Sequence, residues 1–403
     1  MKNGRNAIKI AVPLLILLCA GSVLLMSGIS LPGSVTSLSG YFSPAESAEY
    51  KINPDELTVP VVPAYSPLEN EETPLIRTPL DPGFSLKTSY TTAEFFQGGV
   101  GYVKVNVTND GDNSIFIDRF GVAVNSSENP VYTEDTGTLL PPGKEKSLGL
   151  VAVQLPEGES SPSMQITLWL LAKTSTGRWH EYPGPQYLKE FTVEASPMPE
   201  KINPVYAPNP LPLFTTFNGL VDSSDPEVRK TAAEAARVYG GAYNIYQVCT
   251  LFDRVNEDIE YISDPRGNDV WEPANITLKT GAGDCEDQAV LLAALIEAVG
   301  GTTRLYLTDT HAFAAVYIGN ETAEVEEVVE GIRAYYGNVD VHYLTDEYGS
   351  WLMLDPTSSL YAGGLPGTTA QVCTAGPEGN KKGWTFLNTS EVKVIDISSN
   401  PAS

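Results

Sequence analysis

Histidine and cysteine are scarce in this chain, and their scarcity narrows the chemistry that it can perform. The four cysteines, Cys19, Cys249, Cys285 and Cys373, are too few and too scattered for a disulfide scaffold, and none forms a CxxC motif. A Cys249–Cys373 disulfide and two small buried thiols are both open interpretations. Because the chain has only three histidines, few residues could act as a general base for a catalytic thiol.

Positive charge is also in short supply. The chain has 25 Lys and Arg against 50 Asp and Glu, which gives a formal net charge of -25. Nucleic acids and anionic membrane surfaces would both be repelled, so neither is expected as a partner. The apolar fraction of 42% is ordinary for a globular protein and is sufficient for two or three domains with buried cores.

Long hydrophobic runs are absent except near the N-terminus. Residues 10–29 carry no charge, and residues 1–9 before them carry three basic residues. About 20 apolar residues are enough to cross the bilayer core. We therefore predict a retained transmembrane signal anchor at 10–29, with residues 1–9 in the cytoplasm and the rest of the chain outside. A cleaved signal peptide is the alternative, and it too would export the body of the protein.

The rest of the sequence divides by composition into two folded domains and two linkers. Residues 30–84 are rich in Pro, Ser, Gly and Glu and predict a disordered linker. Residues 85–196 contain short strands separated by turns, typical of an immunoglobulin-like antiparallel β-sandwich that serves as a spacer or binding module. Residues 197–222 predict a second Pro-rich linker. Residues 223–403 predict helices followed by an antiparallel sheet, an α+β order.

One stretch of the α+β region combines the features of a reactive thiol. A Gly-rich turn leads to Asp284, a candidate helix N-cap, and Cys285 follows in the first helical turn. The positive end of a helix favours a thiolate there. His311 opens one predicted strand and Asp355 ends another. A thiolate, an imidazole base and a carboxylate that orients the base could therefore line up for nucleophilic catalysis.

The same stretch resembles a known family. Three motifs occur in the order found in the transglutaminase-like superfamily: Trp271-Glu272-Pro273 with Gly283-Asp284-Cys285-Glu286-Asp287, the strand His311 to Val316, and the strand Trp351 to Thr357. The resemblance covers roughly residues 225–360 and implies a papain-like fold. It also implies Cys285 as nucleophile, His311 as base and Asp355 as the residue that orients the base. Together with the anchor predicted at 10–29, the resemblance leads us to expect a membrane-anchored, prokaryotic member.

The acidic residues beside the nucleophile raise a difficulty. Asp284, Glu286 and Asp287 disfavour a thiolate, so the helix N-terminus and a protonated His311 must outweigh them. Helix capping explains the acids most simply, and a Ca²⁺ site formed by these three residues is the alternative. No other cofactor is expected. The backbone N–H of Cys285 is expected to form part of an oxyanion hole, and Trp271 is a second candidate donor, although packing would explain it as well.

These features predict a thiol enzyme at the cell surface that acts on protein or peptide amides through a thioester acyl-enzyme. Hydrolysis, as in a cysteine peptidase or amidase, is favoured because water is always present. A protein-crosslinking transamidase is the alternative. A non-catalytic surface adhesion or scaffold protein is the third hypothesis. The sequence does not identify a partner for the β-sandwich.

Overall fold

The computed structural model describes residues 52–125, 131–264, 270–376 and 379–398. The predicted transmembrane anchor at 10–29 lies outside these residues. Within them, no helix combines the length and the apolar character needed to cross a membrane. The described residues belong to one compact unit, in which an all-β domain precedes an α+β domain.

The β-sandwich predicted for residues 85–196 is present as two antiparallel sheets around one core. One sheet has the order β1-β3-β6; the other has the order β5-β4-β7-β8, with β9 also paired to β7. Alternate residues of β3 point into the core, where Val103, Val105 and Val107 are fully buried. The strands are β1 (Leu86–Thr92), β2 (Phe95–Phe96), β3 (Val100–Asn109), β4 (Ile115–Val124), β5 (Val131–Leu140), β6 (Glu145–Gln154), β7 (Ser163–Lys173), β8 (Trp179–Glu181), β9 (Gln186–Thr192) and β10 (Ala195–Ser196).

The C-terminal domain begins with helices whose starts follow capping chemistry. The Asp225 side chain accepts hydrogen bonds from Glu227 N–H and Val228 N–H, and Pro226 takes the first helical position. The helices are α1 (Leu211–Leu220), α2 (Pro226–Ala236), α3 (Ile245–Asp258), α4 (Ala274–Thr280), α5 (Cys285–Ala298) and α6 (Thr322–Tyr336). Helix α5 is buried along most of its length, because it packs on the sheet as well as on α2, α3 and α4.

A six-stranded sheet, with the order β12-β21-β15-β16-β18-β17, forms the other half of this domain. Every pair in it is antiparallel except β12–β21. A smaller sheet has the order β11-β20-β19, and β13 pairs with β14 beside the start of α5. The strands are β11 (Lys201–Ile202), β12 (Val205–Pro208), β13 (Glu260–Tyr261), β14 (Ala282–Gly283), β15 (Thr303–Leu307), β16 (Ala312–Gly319), β17 (Tyr343–Thr345), β18 (Ser350–Leu354), β19 (Thr369–Gly376), β20 (Gly379–Leu387) and β21 (Glu391–Asp396).

The prediction of a disordered linker is wrong for residues 52–84, which we call the strap. Its backbone N–H groups donate to carbonyl groups of both domains: Val61 to Tyr243 (3.1 Å), Leu68 to Ala334 (3.3 Å) and Thr78 to Trp179 (2.7 Å). An extended Pro-rich segment makes few hydrogen bonds of its own, so its composition resembles that of a free linker. Long-range partners that are not visible in the local sequence hold it in place.

The second predicted linker, 197–222, is also part of the fold. Residues Val205–Pro208 form β12, which adds a parallel strand to β21, and Leu211–Leu220 form α1. Its prolines fit because β12 lies at the edge of the sheet and Pro212 lies in the first turn of α1, where backbone N–H groups have no partner within the helix.

Candidate active site

Cys285 is the first residue of α5, as the sequence predicts. The turn before it depends on two glycines. Gly281 ends α4 with a left-handed φ of 67°. A Cβ at Gly283 would lie 2.7 Å from the Asp287 Cβ, so a larger residue would push the turn away from α5. The thiol is partly exposed, whereas Cys249 is a fully buried free thiol; the side chain of Cys373 lies outside the described part of the chain.

His311 and Asp355 come from adjacent antiparallel strands. His311 directly precedes β16, and Asp355 directly follows β18; in the pairing of these strands Ala314 lies opposite Leu354. The start of β16 and the end of β18 therefore lie side by side, and His311 Nε2 is 2.6 Å from Asp355 Oδ2. Asp355 is 1% exposed.

The charge state of this pair follows from its contacts. Burial raises the pKa of Asp355, but the opposite charge of His311 and hydrogen bonds from His311, Gly367 and Thr357 outweigh it, so the pKa is lowered. Burial lowers the pKa of His311, but the Asp355 carboxylate and, after it, the interaction with Cys285 more than reverse this and raise it to about 10. The pair therefore favours an imidazolium beside a carboxylate at neutral pH.

The thiol of Cys285 meets two opposing influences. Burial raises its pKa most, and the nearby carboxylate of Glu286, 3.0 Å from Sγ, raises it further. Interaction with the His311 ring lowers it, and the net shift is upward. The positive end of α5 therefore does not by itself determine whether the thiol is ionised. The positive charge of His311 opposes the effects of burial and of Glu286.

The three acidic neighbours of Cys285 have different environments. Asp284 occupies the N-cap position, but its side chain does not make the capping hydrogen bond that the sequence predicts. Asp287 Oδ1 accepts from Glu272 N–H (2.8 Å), and burial raises the Asp287 pKa to about 6. Only Glu286 is placed as a hydrogen-bond acceptor for the sulfur.

These placements also test the calcium alternative. Among the described residues, Asp284, Cys285 and Glu286 bring one ligand atom each within 4.8 Å of one another. Calcium takes six to eight oxygen ligands. This set offers two carboxylates and the sulfur of the candidate nucleophile, while Asp287 is engaged with Glu272. The donor set does not fit Ca²⁺.

Cys285 and His311 line one open cleft of about 440 Å³. Trp271 lies on its wall, where its ring stacks on Phe217 with 4.8 Å between ring centroids. Trp271 thus has a packing contact as well as a place beside the thiol. The lining residues are Leu213, Trp271, Cys285, Glu286, Leu307, Thr308, Asp309, Thr310, His311, Ala312 and Lys393.

Sequence reasoning missed two residues that hold Asp355. Gly367 N–H donates to Asp355 Oδ2 (2.7 Å), and the Thr357 hydroxyl donates to Asp355 Oδ1 (2.7 Å). Thr357 belongs to a motif already noticed, and a hydroxyl two residues after an Asp commonly turns back to it. Gly367 lies twelve residues after Asp355 and carries no local signal beyond the Pro366-Gly367 turn.

Comparison with known proteins supports the family resemblance at the level of this domain. Residues 231–356 match the family model of the transglutaminase-like superfamily, and Cys285, His311 and Asp355 all lie within the match. The α+β domain therefore contains a core similar to that superfamily of thiol enzymes, as predicted. No curated protein matches the chain.

Solved structures give similarities of low sequence identity. A "putative cysteine protease" from Cytophaga hutchinsonii is 14% identical, with 78% of this chain and 94% of that one covered and a TM-score of 0.23. The "putative ApaA protein" from Bordetella pertussis is 20% identical, with 29% and 98% covered and a TM-score of 0.21. The CARDB domain of a Pyrococcus furiosus protein is 15% identical, with 29% and 97% covered and a TM-score of 0.20.

Proposed function

We propose that this protein is a thiol enzyme that cleaves amide bonds of proteins or peptides through Cys285, His311 and Asp355. The observation that carries the proposal is the His311–Asp355 contact of 2.6 Å in the cleft that also holds Cys285 at the start of α5. A nucleophile, a base and a residue that orients the base are the three parts that covalent acyl transfer requires.

The chemistry follows from which atoms are already engaged. His311 Nε2 faces Asp355, so Nδ1 is the ring nitrogen left to exchange a proton with the thiol. In the reactive form the Cys285 proton already lies on His311, and the thiolate of this ion pair attacks the amide carbon. The amide C–N bond then breaks, and His311 returns the proton to the departing amine. Water, deprotonated by His311, cleaves the resulting thioester and releases the acid and Cys285.

Stabilisation of the tetrahedral oxyanion falls to donors beside the sulfur. Cys285 is the first residue of α5, so its backbone N–H has no partner within the helix and can serve as one donor. The indole N–H of Trp271 is the proposed second donor. Trp271 lines the same cleft, and it contacts Phe217 through the face of its ring.

Thiol labelling tests the nucleophile and its base. Iodoacetamide is expected to alkylate Cys285 well ahead of Cys249, which is fully buried and whose pKa burial raises. His311→Ala should slow alkylation of Cys285 at pH 7 by about 100-fold and leave Cys249 unchanged. Equal labelling of both cysteines, or labelling of Cys285 that ignores His311→Ala, would leave a non-catalytic scaffold as the better interpretation.

The products of the reaction test hydrolysis against transamidation. The proposed hydrolase should convert members of a peptide library to free acids when they are incubated with the exported region and analysed by mass spectrometry. Added primary amine should leave those products dominant, with Cys285→Ala as the blank. Amine adducts as the main product would identify a crosslinking transamidase instead. A location outside the cytoplasm is part of the proposal, and it rests on residues 1–29.

A further inference from the structure

We propose that the β-sandwich is a positioning domain for the active site and acts through Tyr102 and Asp340 on the turn that carries Gly367. The proposal rests on the proposed function only in taking His311 as the base and Asp355 as its partner. It assigns a role to a domain for which the sequence predicts only a spacer or a binding module.

Tyr102 connects the two domains. It belongs to strand β3 of the sandwich, yet its buried side chain is part of the hydrophobic core of the α+β domain. Its ring packs edge-on against Tyr361, with 5.0 Å between ring centroids and 69° between the ring planes. Tyr361 lies in the segment that follows Asp355, so the sandwich contacts the chain that leaves the catalytic pair.

Asp340 links Tyr102 to both ends of one segment, residues 361–371, which we call the buttress turn. Asp340 N–H donates to Tyr102 Oη (2.9 Å). Tyr361 Oη donates to the Asp340 carbonyl (2.8 Å), and Gln371 Nε2 donates to Asp340 Oδ2 (2.9 Å). The sandwich and both ends of the buttress turn therefore meet at a single residue.

The middle of the buttress turn touches the catalytic pair. Gly367 N–H donates to Asp355 Oδ2, the same oxygen that faces His311. A Cβ at position 367 would lie 2.8 Å from His311 Nε2 and 2.7 Å from Ser358 Oγ, so the backbone here already lies as close as it can. A shift of the turn would move a donor away from Asp355 or push atoms into the imidazole.

The backbone conformation indicates that the turn is held from outside. Thr368 has φ of +60°, a left-handed conformation that a β-branched residue rarely adopts. Such a conformation persists only where the surrounding structure enforces it. A cavity of about 60 Å³ lies between the turn and the start of β3, so close packing is incomplete there. The hydrogen bonds through Asp340 are therefore important for holding the turn.

A pair of matched variants tests the proposal in the full chain. Tyr102→Phe removes the acceptor for Asp340 N–H and keeps the ring, while Tyr132→Phe removes a hydroxyl that donates to Gln154 within the sandwich (3.1 Å). The His311 imidazole is followed by NMR against pH, in a chain with only three histidines. Cys285 alkylation and urea unfolding are measured in parallel.

Tyr102→Phe is expected to lower the His311 pKa and to slow alkylation at pH 7 by about 10-fold, because a displaced Gly367 holds Asp355 less firmly. Tyr132→Phe should change neither, although it also removes a tyrosine hydroxyl that makes a hydrogen bond. The proposal is overturned if the two variants give the same His311 titration curve.

Gly367→Ala provides a second variant whose effect does not depend on the sandwich. It should reproduce the Tyr102→Phe changes more strongly, and the double variant should be no worse than Gly367→Ala alone, since both act on one element. Fully additive effects would contradict the proposed route. If Cys285 proves no more reactive than Cys249 while Tyr102→Phe still shifts His311, the proposed function fails and the positioning role stands.

Discussion

The two domains differ in what they bury. Among its described side chains, the β-sandwich buries only uncharged polar residues, such as Asn109 and Thr167, within an aliphatic core. Among its described side chains, the α+β domain buries seven acidic or basic residues, namely Asp284, Glu286, Asp287, Arg304, His342, Asp355 and Asp396. Burying a charge is unfavourable unless it is paired. The core of the β-sandwich thus consists of apolar and uncharged polar side chains, whereas the interior of the α+β domain also holds charged groups in fixed positions.

Four of these buried residues, Arg304, Asp396, Glu286 and Asp355, belong to two clusters with different chemistry. Arg304 pairs with Asp396 and Asp346, and its guanidinium lies 3.6 Å from the centroid of the Trp351 ring. None of these residues lines the cleft, and the Arg304 charge is paired, so we interpret this cluster as structural. The second cluster, Cys285 with Glu286 and His311 with Asp355, opens on the cleft and can exchange protons.

The largest expected effect comes from breaking the structural cluster. Arg304→Met should lower the free energy of unfolding by about 3–5 kcal/mol, because it leaves two carboxylates without their buried counter-charge. Urea denaturation measures the change. Arg77→Met is the matched control in the sandwich half, since Arg77 pairs with Glu181 at 45% side-chain exposure. It should cost about 0–1 kcal/mol, and equal losses would erase the difference between the two domains.

A smaller effect is expected from the His311–Asp355 pair. Asp355 has a lowered pKa, so its contribution to stability is present above about pH 4 and lost on acidification. His311 has a raised pKa, so its contribution is present below about pH 6.5 and lost as pH rises towards about 10.

Asp355→Asn should therefore lower the unfolding free energy by about 2 kcal/mol at pH 6, with a smaller loss at pH 10. Asp309→Asn is the control, because Asp309 is an exposed carboxylate that accepts from Ser390. Urea unfolding at both pH values measures the difference. A pH-independent loss in Asp355→Asn would mean that the His311 charge is not coupled to folding.

The smallest expected effect distinguishes the acidic residues beside Cys285. Glu286→Gln should move the midpoint of the pH profile of Cys285 alkylation down by about one unit, since it removes the negative charge nearest the sulfur. Asp287→Asn removes an equal charge that faces Glu272, and it should move the midpoint less. If Asp287→Asn shifts the midpoint as far as Glu286→Gln does, the short distance from Glu286 to Sγ does not explain the effect of Glu286 on the Cys285 pKa.

Local signals predicted the elements that carry the site. Capping signals predicted the start of α2 at Asp225-Pro226 and the position of Cys285 at the start of α5. Alternation of apolar residues predicted the ends of β16 and β18, and all of these elements lie close to the predicted positions. The His311–Asp355 contact was inferred from order and resemblance, and the pairing of β16 with β18 brings it about.

What the sequence could not give are contacts between distant residues of unremarkable type. Gly367 reaches Asp355 from a turn outside every motif, and the strap is held by carbonyl groups of Tyr243, Ala334 and Trp179. Backbone donors and acceptors are the same in every residue, so no side-chain pattern marks them. The sequence also does not distinguish the roles of the three acidic residues around Cys285. Their separate contacts depend on the direction in which each side chain points in the folded structure.

The position of β21 has a consequence for the order in which the chain can fold during synthesis. Residues Glu391–Asp396 lie between β12 and β15 in the six-stranded sheet, although they follow both of these strands in the chain. The sandwich closes on contacts within residues 86–196 and can form while the ribosome is still translating the second half. The six-stranded sheet cannot be completed until β21, the last of its strands in the chain, has been synthesised. The strap is synthesised before the sandwich, but Val61 and Leu68 cannot form their hydrogen bonds until Tyr243 and Ala334 have been synthesised. Part of the first described segment is therefore expected to dock late in folding.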